Sequence, residues 1–117
     1  DLPKVRVGTV AHSYSSKYLH EHSIGSRKFS SITEGLDAVK KDKIDAFVYD
    51  HTILKYFANK EFKNDVVILD SVFNPQTYGI ALPTNSTLRE SINRVLLKKK
   101  MDEFYWKGLI EKYLGKQ

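Results

Sequence analysis

The sequence predicts a layered α/β/α domain on a mostly parallel sheet, and three observations predict it. Short apolar, β-rich runs at 5–10, 45–49, 66–69 and 78–82 alternate with stretches of helical periodicity. Two helical stretches open on the Ser/Thr-x-x-Glu spacing that caps a helix, Ser31 with Glu34 and Thr87 with Glu90. No repeat, linker or low-complexity segment divides the 117 residues, enough for one compact core and too few for two. Parallel neighbours need crossovers, so strands alternating with helices imply a largely parallel sheet.

Taken in order, Val5-Arg6-Val7-Gly8-Thr9-Val10 reads as a strand, and the polar turn Ala11-His12-Ser13-Tyr14-Ser15-Ser16 leads directly into a helix carrying Tyr18 and Leu19. A short basic segment with Phe29 reads as a second strand. Ile32, Leu36 and Val39 fall on one face of the helix that Ser31 opens, which should end near Asp42 and Lys43. Residues 45–49 form the next strand, ending against Asp50, and a helix over 52–59 follows with Ile53, Leu54, Phe57 and Ala58 as its apolar face. Val66-Val67-Ile68-Leu69 is a buried-looking strand, Asn74-Pro75-Gln76 breaks the chain, and Tyr78-Gly79-Ile80-Ala81-Leu82 is one more strand, stopped by Pro83. Two helices close the reading, one with Leu88, Ile92, Val95 and Leu96, the other with Trp106, Leu109, Ile110, Tyr113 and Leu114 before Gly115.

Composition narrows the function classes. The absence of cysteine excludes disulfide frameworks, thiolate metal sites and cysteine nucleophiles. No apolar run is long enough to cross a bilayer. A formal charge of +5 raises a nucleic-acid reading. The lysines, however, are scattered among acids over several helices rather than forming one basic face with exposed aromatics, and Lys98-Lys99-Lys100 falls at a helix end, where cations are favoured. No nucleic-acid partner is expected. Of the four histidines, His20 and His22 point to different helix faces with no third ligand, so neither a metal nor another cofactor is expected.

In such sheets ligands bind outside the carboxyl ends of the strands. Two places fit: the serine-rich turn after Val10 and Asp50 after Tyr49. The turn can cradle an anion on free helix N–H groups and hydroxyls, or Ser13 or Ser15 can simply cap its own helix. Asp50 can likewise cap the following helix, or receive a ligand's ammonium group by a charge-assisted bond. Together, an anion cradle and a carboxylate complement the two charges of a free α-amino acid. No nucleophile, base and acid stand at catalytic spacing, so a binding role rather than catalysis is expected.

Four segments, "VGTVAHSYSSKYL", "SITEGLDAVKKDKIDAFVYDHTILKYF", "NPQTYGIALPTNSTLRESINRVLL" and "LIEKYLG", resemble in order and spacing the second half of type 2 periplasmic solute-binding proteins for amino acids. The same half occurs in ligand-binding domains of ionotropic glutamate receptors and their prokaryotic channel relatives. The resemblance covers nearly the whole chain. It implies one lobe of a two-lobed clamp with extra C-terminal helices: residues 1–83 as the lobe core with a ligand half-site, and 84–117 as a helical segment returning towards the first lobe.

By that resemblance, Ser13, Tyr14 and Ser15 fall where hydroxyls and amides hold a ligand carboxylate, and Asp50 where an acidic residue meets the α-ammonium. His12 and Tyr78 stand behind them. His12 replaces a usual glycine and Tyr14 a usual small hydroxyl residue, which makes the pocket wall bulkier. The partner implied is an amino acid, with a first lobe, or a second copy of the chain in a domain-swapped dimer, covering Trp106 and Leu109. A parent associated with a membrane, on its periplasmic or extracellular side, is expected, since in channel-type members the portion after the pore begins about where this chain does. A soluble transporter component is the alternative. A clamp-fold dehydratase would need a further acid or base in the cleft, for which Glu21 and His12 are the candidates.

Overall fold

The computed structural model describes residues 6–21, 23–73 and 76–86. The C-terminal helices expected beyond residue 86, with their capping residue Thr87 and with Trp106 and Leu109, lie outside them. The described elements run β1 (Val7–Val10), α1 (Tyr14–Glu21), β2 (Arg27–Phe29), α2 (Ile32–Lys40), β3 (Ala46–Asp50), α3 (His51–Glu61), β4 (Val66–Phe73) and β5 (Gln76–Pro83).

They form one five-stranded sheet of order β2-β1-β3-β5-β4. β1 pairs in parallel with both β2 and β3, with α1 between β1 and β2 and α2 between β2 and β3, as the alternating pattern requires. β5 is the exception. No helix separates it from β4, so the two pair as antiparallel neighbours, and β5 then runs antiparallel to β3 as well. The sheet is therefore mixed, with four strands in one direction and one reversed.

Alternation along the strands builds the two faces. Phe47 and Ala81 join Leu36, Val39, Ile44, Leu54, Ala58 and Phe62 in one buried cluster against α2 and α3. Fully burying a Leu- or Phe-sized side chain stabilises by about 1.5–3 kcal/mol. This cluster is accordingly where truncation costs most. The opposite face carries Val7, Thr9, Ala46 and Val48, all buried, and α1 packs there against β1 and β3.

Side chains and main chain set the helix limits as their sequence suggests. Ser31 is the N-cap of α2, its Oγ accepting from Glu34 N at 3.1 Å. The Glu34 carboxylate bonds the Ser30 and Ser31 hydroxyls rather than reaching back to a main-chain N–H. Both α1 and α2 end in the same double bond across a left-handed residue: Ile24 N to Leu19 O with Ser23 N to His20 O, and Lys43 N to Ala38 O with Asp42 N to Val39 O. Ser23 and Asp42 accordingly have φ of 60° and 59°. The α2 termination thus extends to the Asp42-Lys43 pair expected from sequence.

Candidate functional site

Because β1 and β3 are parallel neighbours, Thr9 opposite Val48, their carboxyl ends emerge side by side. The turn after β1 and the start of α3 after β3 therefore meet. β5 brings a third group from the other direction, since its reversed register sets Tyr78 opposite Asp50. Between them opens a cleft of about 910 Å³. His12, Ser13, Tyr14, Ser15, Asp50 and Tyr78, the six residues singled out in the sequence, all line it.

At the α1 start, Ser13 is bonded on both sides: Ser16 N donates to its Oγ at 3.1 Å and Lys17 N to its carbonyl oxygen at 3.1 Å. That occupies the third and fourth amides of the helix. The N–H groups of Tyr14 and Ser15 have no hydrogen-bond partner among the described residues. Two free donors at the positive end of a helix are an anion-binding arrangement. The Ser15 side chain is buried, 2% exposed, while Tyr14 is 74% exposed at the cleft mouth. His12, just before, holds φ of 60°, a left-handed conformation that favours glycine.

Asp50 combines the two roles that its sequence left open. It is the N-cap of α3, with Oδ1 accepting from Ile53 N at 3.1 Å, and it borders the cleft with Oδ2 making no hydrogen bond among the described residues. Tyr78, beside it, is buried and packs against Tyr18 of α1, the ring centroids 5.5 Å apart and the planes tilted by 43°. Burial first, then the charges of Asp50 and Glu21, raise the Tyr78 phenol above its ordinary value, so it stays protonated as a neutral donor.

Sequence reasoning missed Lys17, His20 and Lys28 in the lining. Lys28 belongs to a basic segment visible in the sequence, but only the pairing of β2 with β1 carries it to the cleft. Ile53, read as part of the α3 core face, instead lines the cleft and is 41% exposed; Leu54 and Ala58 alone are the fully buried residues of that helix. Thr9 was missed as well, and it ties β1 to β3 and to α1: its hydroxyl donates to Val48 O at 2.8 Å and lies 2.7 Å from Ser15 Oγ.

A strand-end cleft of this kind, on a mixed sheet with helices on both faces, is the ligand-binding place of an open α/β sheet. No family model matches the chain. Comparison with individual proteins is more specific. The chain is 32% identical over 107 residues to the human glutamate receptor ionotropic NMDA 2C, and 34% over 104 residues to mouse NMDA 2D, each match covering 82% of this chain and 8% of the receptor. Among solved structures it is similar to the GluR0 ligand-binding core from Nostoc punctiforme in complex with L-glutamate, with 36% identity and a TM-score of 0.56 over 98% of this chain and 54% of that one. It is also similar to an ancestral arginine-binding protein bound to glutamine, with 25% identity and a TM-score of 0.53 over 99% of this chain and 56% of the other. The chain is a lobe of the type 2 periplasmic-binding-protein fold, of the ionotropic-glutamate-receptor-like kind. It spans about half the length of those solved domains and a small fraction of the receptors. These relatives are receptors and a binding protein, not enzymes.

Proposed function

We propose that the chain is the half-site of an amino-acid-binding clamp on the periplasmic or extracellular side of a membrane, within a prokaryotic glutamate-receptor-like channel or another membrane receptor or transport protein. The observation that carries this reading is the meeting of two amides at the α1 start, unpartnered among the described residues, with the Asp50 carboxylate across one cleft. An α-amino acid has the matching charges. Ser13, Tyr14 and Ser15 form the cradle for a ligand carboxylate, Asp50 receives the ammonium group, and His12 and Tyr78 flank them. The likeness to an arginine-binding protein supports a second reading, the soluble amino-acid-binding component of an ABC transporter, with the same site chemistry.

Half of a clamp forfeits enclosure, so its own affinity is weak. An amide NMR titration with a panel of L-amino acids at millimolar concentration detects such binding. Shifts at 13–16 and around Asp50, lost in Asp50→Ala, are expected. Silence at those positions across the whole panel, in this chain and in the full clamp, would sink the reading.

A further inference from the structure

Thr9 and Ser15 are the buried polar residues among those described, 0% and 2% exposed, and their hydroxyls touch at 2.7 Å. Ser13 Oγ lies 2.9 Å beyond Ser15 Oγ. The row ends on carbonyls at both sides: Thr9 Oγ1 is 2.8 Å from Val48 O, and Ser13 Oγ is 2.6 Å from Val10 O. Carbonyl oxygens only accept, so Thr9 and Ser13 each donate outward along the row. Each hydroxyl carries a single proton. Four contacts therefore share three protons, and the Ser15 proton is left with two acceptors, Thr9 Oγ1 and Ser13 Oγ, both inside the protein.

We propose that Thr9 is a positioning residue of the cradle: it holds the Ser15 hydroxyl inward, so that Ser15 meets a ligand carboxylate through its main-chain N–H and not through its hydroxyl. The proposal rests on the amino-acid-binding reading and goes beyond it by assigning the donor atom. Thr9 also bonds Val48 O, two residues before Asp50, so one buried side chain fixes the first turn of α1 against the strand that carries the counter-charge. Removing the Ser15 hydroxyl leaves Thr9 and Ser13 still donating to their carbonyls. Removing the Thr9 hydroxyl deprives Val48 O of a donor and releases Ser15.

The variants Ser15→Ala, Thr9→Val and Thr9→Ser test this with L-glutamate and L-glutamine as probes. Before any ligand is added, the Thr9 and Ser15 hydroxyl protons are expected to be protected from solvent exchange, and Thr9→Val to shift the Tyr14 and Ser15 amide signals while Thr9→Ser leaves them near their original positions. In titrations, Thr9→Val loses about tenfold, Thr9→Ser restores most of it, and Ser15→Ala loses less than Thr9→Val. A Ser15→Ala loss as large as that of Thr9→Val or larger, as a direct hydroxyl bond to the carboxylate would give, would overturn the proposal. So would a freely exchanging Ser15 hydroxyl, or α1 amides indifferent to Thr9→Val. Should the parent chain bind neither probe, the amino-acid reading is decided by the wider panel and the full clamp, while the hydroxyl exchange still decides whether Thr9 holds Ser15. A Thr9→Val chain that does not fold leaves Ser15→Ala and the exchange measurement to decide.

Discussion

Gly35 lies against the ring of Phe47 so closely that a Cβ on Gly35 would sit 2.0 Å from Cε1 and 2.4 Å from Cζ. Glycine in the middle of a helix is otherwise unfavourable, by about 1 kcal/mol relative to alanine. Here the ring of a residue that is 0% exposed occupies the space, at the centre of the cluster that joins α2 to β3. Overpacking of a filled core costs about 1–3 kcal/mol, and contacts this short belong at or beyond the upper end of that range. Gly35→Ala is therefore expected to destabilise on balance by about 2 kcal/mol or more, read as a lower urea midpoint at unchanged slope. Unchanged or increased stability would mean that the Phe47 ring can move aside.

The contact also shows which features the sequence carried. Periodicity placed Leu36 and Val39 on the buried face of α2, and the spacing of Ser31 and Glu34 marked its start, because helical period and capping are local properties. Gly35 carried no such mark, since its neighbour comes from β3. The same division holds at the cleft. Asp50 and the serines were legible because strand ends and helix starts attract ligands by general rule. Lys28 and the buried Thr9 were not, because only strand pairing brings them there. The reversal of β5 could have been found from the missing helix between β4 and β5. Ile53 was misassigned because an apolar residue at the rim of a cleft follows the same helical period as one in the core.

The ion pair that closes the β1 and β3 starts should set part of the acid response. Asp45 Oδ2 accepts from Arg6 N at 2.8 Å and Nε at 3.1 Å, and Oδ1 from Nη2 at 3.0 Å. Burial alone would raise the Asp45 carboxyl, but the Arg6 hydrogen bonds and charge outweigh it and hold it below its ordinary value. A carboxyl lowered in the folded state contributes stability above its unfolded value and loses it as pH falls through the folded one. Asp45→Asn should therefore narrow the stability difference between neutral and acid pH. Urea unfolding at a series of pH values reads this directly; parallel curves for the two proteins would rule it out. The neighbouring Arg6 to Asp42 contact, 3.4 Å with Asp42 83% exposed, should add little.

Two of the three described non-glycine residues in the left-handed region, Ser23 and His12, invite the opposite kind of change. Ser23 terminates α1 at φ 60° with an exposed side chain, and no hydrogen bond of that side chain occurs among the described residues. Glycine removes a left-handed penalty of about 1–2 kcal/mol at the cost of a more flexible unfolded chain, so Ser23→Gly should stabilise by about 0.5–1 kcal/mol. His12→Gly at φ 60° should do the same, and because His12 borders the cleft it should also open the pocket wall. Thermal unfolding of both variants checks the expectation, and a lower midpoint for Ser23→Gly would contradict it.

The facing pair Asp50 and Tyr78 yields a reporter of the site. Burial, Asp50 and Glu21, in that order, raise the Tyr78 phenol. Removing the second cause by Asp50→Asn should lower the Tyr78 titration towards the ordinary tyrosine value without reaching it, because burial persists. A phenol raised in the folded state contributes stability that is full below the unfolded tyrosine value and is lost as pH rises through the folded one. Asp50→Asn should thus lessen the alkaline loss of stability that comes from Tyr78. Carbon NMR of the labelled rings resolves Tyr78 among the seven tyrosines. A Tyr78 titration unmoved by Asp50→Asn would show that burial and Glu21 alone set it. A ligand ammonium group seated against Asp50 should act in the same direction as the substitution, since it neutralises the same charge, so the Tyr78 shift would report occupancy of the proposed amine position.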